Sequence, residues 1–416
     1  MPDARQHSPQ AKALGPFSVW LSLPQLITWG SVFYTFSLLM TPLEAELGMG
    51  RAESSLAFSL ALLAEGLMAY QVGRWIDAGH ERRLMTLGSV WVGLGLLGHS
   101  FVSTVAGFYA AWIWLGLGMA ATLYNPAFAV VTRRFPQDFR RAIITLTFLG
   151  GLASTVFIPL FAWWMELWGW RQALWALAAL QFLVGVPVHG WLLQGAPRPQ
   201  VSHAERTQPE HGAPADTRDP VVPVREHLRH APFWLLALFM VLTMSVTSAL
   251  PAHMIALLQE SGLSPTWVIA IPAAIGIIQV LGRLVLFVFE RNWDVHAANR
   301  WIPTLIPAGV LALLIGGLSP LASLVFVLLY GLGNGLNTIV KGTAMAQYVS
   351  HAHVGQLNGL LGLPIALARA AAPLILGLLW SAEHGYSLAL WWLLAASLMG
   401  TAALWAAQRS ALKAQR

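Results

Sequence analysis

From Phe17 onward the chain is a succession of long apolar runs, broken at short intervals by glycine, proline and charge. Each run is long enough to cross a bilayer, which takes about 20 residues of helix at 1.5 Å per residue. The punctuation predicts twelve spans: 17–41, 53–74, 84–102, 106–131, 141–165 and 171–193, then 232–258, 265–289, 302–318, 321–345, 356–380 and 386–407. The first, Phe17 to Met40, is longer than a signal-peptide core and no small-residue cleavage site follows it, so it reads as a retained membrane helix. Residues 195–231 mix Pro, His, Arg, Glu and Ala without apolar period and read as a flexible linker. The predicted organisation is a tail at 1–16, a six-helix bundle at 17–194, the linker at 195–231, a second six-helix bundle at 232–408 and a tail at 409–416.

Composition removes the soluble alternatives. The 416 residues are 56% hydrophobic and 10% charged, with a mean hydropathy of +0.61, whereas a soluble domain carries about 25% charged residues. So few charges do not make a water-facing surface. The net charge of +6 is explained by where the basic residues fall. Twenty of the 24 lysines and arginines lie in the tails, the linker and alternate loops, among them Arg74, Arg82, Arg83, Arg133, Arg134, Arg140 and Arg141. The opposite loops hold only Arg51 and Arg171. This bias places both termini on the cytoplasmic side of a cell membrane and makes nucleic acid an unexpected partner. The absence of cysteine excludes disulfides, thiolate metal sites and a cysteine nucleophile. The linker histidines His203, His211, His227 and His230 are loosely spaced, and no metal or cofactor is expected.

The two halves repeat. Gly116-Leu117-Gly118 recurs as Gly331-Leu332-Gly333, an offset of 215. Parallel repeats of this kind belong to secondary transporters whose substrate site lies at mid-depth between the halves. Charges inside apolar spans are costly and mark function. Glu65 lies 12 residues from both Glu53 and Asp77, about 18 Å from either end. Arg369 is similarly central, 14 residues from Gly355 and from Glu383. Arg283 and Lys341 lie nearer the cytoplasmic end, within snorkelling reach.

Glu65 plus the offset falls at 280, beside Gln279, so Glu65 and the Gln279–Arg283 turn are expected to share a pocket. In that pocket Arg283 and Arg369 are expected to bind a carboxylate, with Glu65 as counter-ion or proton carrier. Tyr124 and Asn125, loosened by Pro126, line the cavity or bond a neighbouring helix, and Gln25, Trp29 and Tyr34 are weaker candidates. A structural alternative stands beside each: a permanent ion pair for Glu65, a helix contact for Arg369, snorkelling for Lys341. His99, His189 and His253 read as hydrogen-bonded helix contacts. An intramembrane enzyme needs paired acids, a metal set or a nucleophile with its base, and the spans offer one clear acid and scattered histidines. No filter repeat or signalling domain points to a channel or receptor.

Between spans two and three the chain reads Gly73-Arg74-Trp75-Ile76-Asp77-Ala78-Gly79-His80-Glu81-Arg82-Arg83. This resembles the signature loop of the major facilitator superfamily. The resemblance implies an all-α membrane protein of 12 transmembrane helices in two pseudo-symmetric six-helix halves. It also implies a conformational latch built from Gly73, Asp77, Gly79, Arg82 and Arg83, with Arg133 or Arg134 and the start of span eleven near Gly355 as partners. Gly73 is expected to permit close helix approach and Gly79 a tight turn.

Trp29–Tyr34, Tyr124–Phe128 and Gly276–Arg283 look like the monocarboxylate transporter branch and its oxalate–formate exchanger relatives. That likeness implies that Arg283 contacts a substrate carboxylate and that Arg369 matches a basic residue on helix eleven. Gln279 stands where those relatives carry aspartate, and their lysine on helix one has no counterpart between Gly30 and Pro42. The expected function is secondary transport of a small organic anion, a mono- or dicarboxylate, by a monomer, with a proton as candidate co-substrate in symport or antiport. The runner-up is an exporter of drugs or hydrophobic cations.

Overall fold

The computed structural model describes residues 9–136, 138–195, 224–289, 294–317, 319–350 and 353–414. Among them the chain makes twelve helical passages. The first half holds α1 (Leu14–Leu47), α2 (Arg51–Asp77), α3 (Glu81–His99), α4 (Val105–Arg134), α5 (Ala142–Trp168) and α6 (Trp170–Leu192). The second holds α7 (Ala231–Glu260), α8 (Pro265–Phe289), α9 (His296–Ile315), α10 (Pro320–Tyr348), α11 (Val354–Leu379) and α12 (Ser387–Ala414). Eleven are long and apolar enough to cross a membrane. The twelfth, α3, opens on Glu81-Arg82-Arg83 and ends on His99, and it packs against α4 and α6. The chain is therefore a multi-pass membrane protein whose two six-helix halves meet along a central seam.

Several helices outrun the lengths that apolarity alone predicts. Helix begins at Pro9, inside the expected tail, and α12 continues to Ala414, through residues expected as the other tail. Val224–His227 is helical and α7 starts at Ala231, both within the expected linker, whose residues 196–223 lie outside the described residues. The reason is amphipathicity. The last turns of α12 still bury Ala407, Gln408 and Ala411, and those of α10 bury Ala344, Met345 and Tyr348, so a stripe of apolar side chains stays docked after the outer face has turned polar.

Proline shapes the central helices, and neighbouring helices repair what it removes. Helix α4 breaks at Leu123, which is extended between Thr122 and Tyr124. Pro126 has no N–H to give the Thr122 carbonyl four residues earlier, and Gln25 Nε2 of α1 donates to that oxygen instead, at 2.6 Å. Helix α11 repeats the device. Pro373 frees the Arg369 carbonyl, and the Ser248 hydroxyl of α7 donates to it at 3.2 Å. Within a membrane such repairs are obligatory, because no water substitutes for the lost donor. Gln25→Leu is expected to lower stability by about 1–3 kcal/mol, the cost of a buried unsatisfied carbonyl, read as an earlier thermal transition of the purified protein.

The halves touch along two seams. On α2 and α11 a Cβ at Gly66 would sit 2.7 Å from that of Ala366, and the Leu374 amide donates to the Ser59 hydroxyl at 3.1 Å. On α5 and α8 the Thr155 hydroxyl donates to the Ala273 carbonyl at 2.6 Å, an approach for which Gly276 leaves room beside Ser154 and Thr155. Both seams close the half of the molecule remote from the chain termini.

Candidate functional site

At mid-depth the seams gather most of the intramembrane charge. Arg369 of α11 and Glu65 of α2 form a two-pronged ion pair at 3.2 and 3.4 Å, with side chains 16% and 6% exposed. Glu65 thus pairs with Arg369 across the halves, whereas the repeat offset pointed to the Gln279–Arg283 turn. Gln279 instead anchors that turn of α8. Its Nε2 donates to the Gly151 carbonyl at 2.6 Å, and its Oε1 accepts from Asn334 of α10 at 3.1 Å. One turn on, Arg283 is 8% exposed and donates from Nη1 to the Thr147 carbonyl at 2.6 Å. Its Nε is buried with no hydrogen-bond partner.

Lys341 of α10 completes the group. Among the described residues its Nζ bonds the Met244 thioether, at 3.1 Å, and it lies within electrostatic range of both Arg283 and Arg369. It therefore faces the shared charges of the seam, which the snorkelling alternative did not provide for. Tyr34 and Tyr124 both lie beside Arg283, and the Tyr34 hydroxyl faces Gln279 and Ser154. Their placement follows from α1, where a π-helical turn at Trp29–Tyr34 re-aims the side chains. Gly30 makes that turn possible, because a Cβ there would overlap the Phe157 ring. Trp29 packs on Tyr124 at 5.0 Å and Tyr124 stacks on Phe128 at 5.2 Å. Asn125 is exposed and bonds no described residue, so it is not a helix-to-helix contact.

The Glu65–Arg369 pair makes a sharp stability prediction. Removing one partner strands a buried charge, which costs about 3–5 kcal/mol, whereas replacing both by apolar residues is near neutral. Arg369→Leu is expected to destabilise strongly, and Glu65→Leu/Arg369→Leu to recover most of the loss in thermal unfolding.

A second cluster, missed in the sequence, closes the end remote from the termini. Arg51, counted only as a loop cation, pairs with Glu44 at 2.9 Å and Glu260 at 3.3 Å and donates to the Tyr386 hydroxyl at 2.5 Å. Its guanidinium lies 5.0 Å from the Trp380 ring centroid. His253 sits beneath, its ring nitrogens 2.9 Å from the Tyr386 hydroxyl and 2.9 Å from the Pro373 carbonyl. One neutral tautomer satisfies both, donating to Pro373 and accepting from Tyr386. Four helix ends from both halves thus converge on one arginine. Its only sequence signal is that Arg51 is one of two basic residues on its side. His189 bonds Ser89 at 2.9 Å. His99, expected to be hydrogen-bonded, has neither ring nitrogen bonded and rests among Phe108, Trp112 and Trp170.

At the termini-side end the signature loop is arranged differently from expectation. Arg133 and Arg134 pair with Glu81, at 3.2 and 2.6 Å, and not with Asp77. Glu81 is fully buried whereas Asp77 is exposed, and a carboxylate at the first turn of α3 also meets that helix's positive end. Arg133 donates to the Ile76 carbonyl as well, and Arg82 to the Gly190 carbonyl at 2.7 Å. Arg83 is exposed. Gly79 makes the tight turn with φ of 87°, but Gly73 has open space where a Cβ would be and so mediates no close approach. Among the described residues, every ion pair at this end stays within one half.

Two six-helix halves thus meet around buried charge at mid-depth, with a second charged cluster joining them at one end. The profile of the Major Facilitator Superfamily matches residues 25–373, and the chain belongs to that superfamily. The fold is shared with solved transporters of low identity. A bacterial homologue of the human lysosomal transporter Spinster, in an inward-facing and unoccupied conformation, superposes with a TM-score of 0.69 at 16% identity, covering 96% of this chain and 98% of that one. The nucleoside transporter NupG superposes with a TM-score of 0.67 at 13% identity, over 95% and 98%. No curated protein sequence matches the chain.

Proposed function

We propose that this transporter carries a small organic anion, a mono- or dicarboxylate, through the site at Arg283, Lys341 and Arg369. The supporting observation is the charge balance. Three cations face one mid-depth region, and the single carboxylate among them, Glu65, is engaged by Arg369. Among the described residues, Arg283 and Lys341 have no acidic partner there. Like charges attract an anion strongly in such surroundings, at about 4 kcal/mol per pair at 4 Å and an effective dielectric of 20. Gln279, Tyr34 and Tyr124 add neutral hydrogen-bonding groups beside the arginine.

The coupling follows from the same groups. A substrate carboxylate that engages Arg369 displaces Glu65, which then takes a proton to remain in the apolar seam. Proton and anion so move together. Both termini face the cytoplasm of a cell membrane, as the loop charges require, and the protein works as a monomer.

The test is a thermal-shift screen of purified protein against small mono- and dicarboxylates. At least one acid is expected to raise the transition by a few degrees, since a ligand at 100 times its Kd stabilises by about 2.7 kcal/mol. Failure of every acid, with a hydrophobic cation stabilising instead, replaces this reading by the drug or cation exporter, for which the Trp29–Tyr124–Phe128 ring stack supplies an aromatic wall.

A further inference from the structure

At the termini-side end of the second half, outside the transport site, a basic groove opens between α9 and α12. Trp405 Nε1 donates to the Arg300 carbonyl at 2.8 Å and Gln408 Nε2 to the His296 carbonyl at 2.9 Å, so the two helix ends are fixed side by side. Against this junction lie two adjoining hollows of about 260 and 450 Å³ that share Trp405 and Arg409. Arg300 and Lys413 complete the cationic rim, and Trp301, 67% exposed, flanks it.

None of the three cations forms an ion pair with a described residue. Among the described residues of this stretch the acid is Asp294, which caps the helix by accepting from the His296 amide at 3.0 Å. Three uncommitted positive charges in one groove are the complement of a phosphate. The direction of the groove gives the rest of the ligand. Along the membrane-facing side of α12 it continues onto exposed Leu398 and Met399, and beside it α9 exposes Ile315 and Leu311. Tryptophan rings flanking a cationic rim at a helix end are the arrangement that sits at the headgroup level.

We infer that this groove binds an anionic phospholipid, its phosphate held by Arg300, Arg409 and Lys413 and its chains lying along α12. The first half carries a related feature at the equivalent place. A groove of about 610 Å³ between the ends of α3 and α6 includes Arg82 and Arg83, but there Arg82 is tied to the Gly190 carbonyl. The second-half groove gathers three cations, Arg300, Arg409 and Lys413.

The experiment uses full-length protein, delipidated in a neutral detergent and titrated with phosphatidylglycerol, phosphatidylcholine or inorganic phosphate. Bound lipid is counted by native mass spectrometry and stability followed by thermal unfolding. Phosphatidylglycerol is expected to be retained and to raise the transition. Arg300→Gln/Arg409→Gln/Lys413→Gln is expected to weaken its binding at least tenfold, and Arg225→Gln/Arg229→Gln, on the exposed short helix and its flank, by less than twofold. Should the triple variant not purify as a single species, Arg409→Gln alone is expected to show a threefold loss. Unchanged binding in the variants overturns the inference, as does equal retention of phosphatidylcholine. Stabilisation by inorganic phosphate at the concentrations effective for phosphatidylglycerol makes the groove a site for the free anion and overturns the lipid assignment.

Discussion

Carboxylate uptake by proteoliposomes carrying Arg283→Gln is expected to fall by about 30-fold to several thousand-fold, the equivalent of 2–5 kcal/mol for a charge truncated from a buried polar contact. Arg283 has no acidic partner among the described residues. One nitrogen holds the Thr147 carbonyl, and the buried Nε has no partner. It also lies within electrostatic range of Lys341. Its removal relieves that repulsion, so the thermal transition is expected to stay level or rise while uptake is lost. A purely structural arginine gives the opposite pair of results, a lowered transition with residual uptake in proportion to folded protein. Arg283→Lys is expected to retain part of the activity, because charge persists while the planar fork does not. Full uptake in the glutamine variant sinks the proposed role.

The second large effect concerns the closed end. Arg51→Gln is expected to shift the carrier toward opening on the side remote from its termini. The substitution strips the ion pairs to Glu44 and Glu260 and the bond to Tyr386 in one step, and it leaves two carboxylates facing each other across the halves. A shift from 1:99 to an even population needs about 2.7 kcal/mol, half of the 5.5 kcal/mol that takes it to 99:1, which is within reach of several charge-assisted bonds lost together. The chain contains no cysteine, so a single Ser59→Cys reporter in the α2–α11 seam needs no background substitutions. A membrane-impermeant thiol reagent added from that side is expected to label it at least tenfold faster with Arg51→Gln than without. Equal rates would mean that the cluster does not hold the gate.

Much of this protein is written along one dimension. Span positions follow from the bilayer's demand for unbroken apolar helix, and a charge inside such a run declares itself without reference to any neighbour. Glu65, Arg283, Lys341 and Arg369 were therefore legible as the unusual residues, and the Gly73–Arg83 loop as a superfamily feature. The partners of those residues were not. Glu65 and Arg369 are 304 positions apart and meet because α2 and α11 cross with Gly66 against Ala366. No periodicity encodes that crossing, and the internal repeat pointed Glu65 toward α8. The signature loop misled in the same way, because its exposed aspartate fits the pattern while the buried Glu81 makes the bonds.

The cluster around Arg51 was the least legible part. Arg51, Tyr386 and His253 are ordinary residues at helix ends until α2, α7 and α12 converge. Thr122 and Arg369 show the same division at the level of the backbone. Pro126 and Pro373 announce which carbonyls lose a donor, but only the packing of α1 and α7 brings Gln25 and Ser248 to them. The sequence by itself determined the spans, the repeat, the superfamily loop and the identity of the intramembrane charges, because hydration cost and helix geometry act locally. The tertiary structure decided which charges neutralise one another and which have no acidic partner among the described residues, because pairing across a bundle depends on helix crossings that no single segment specifies.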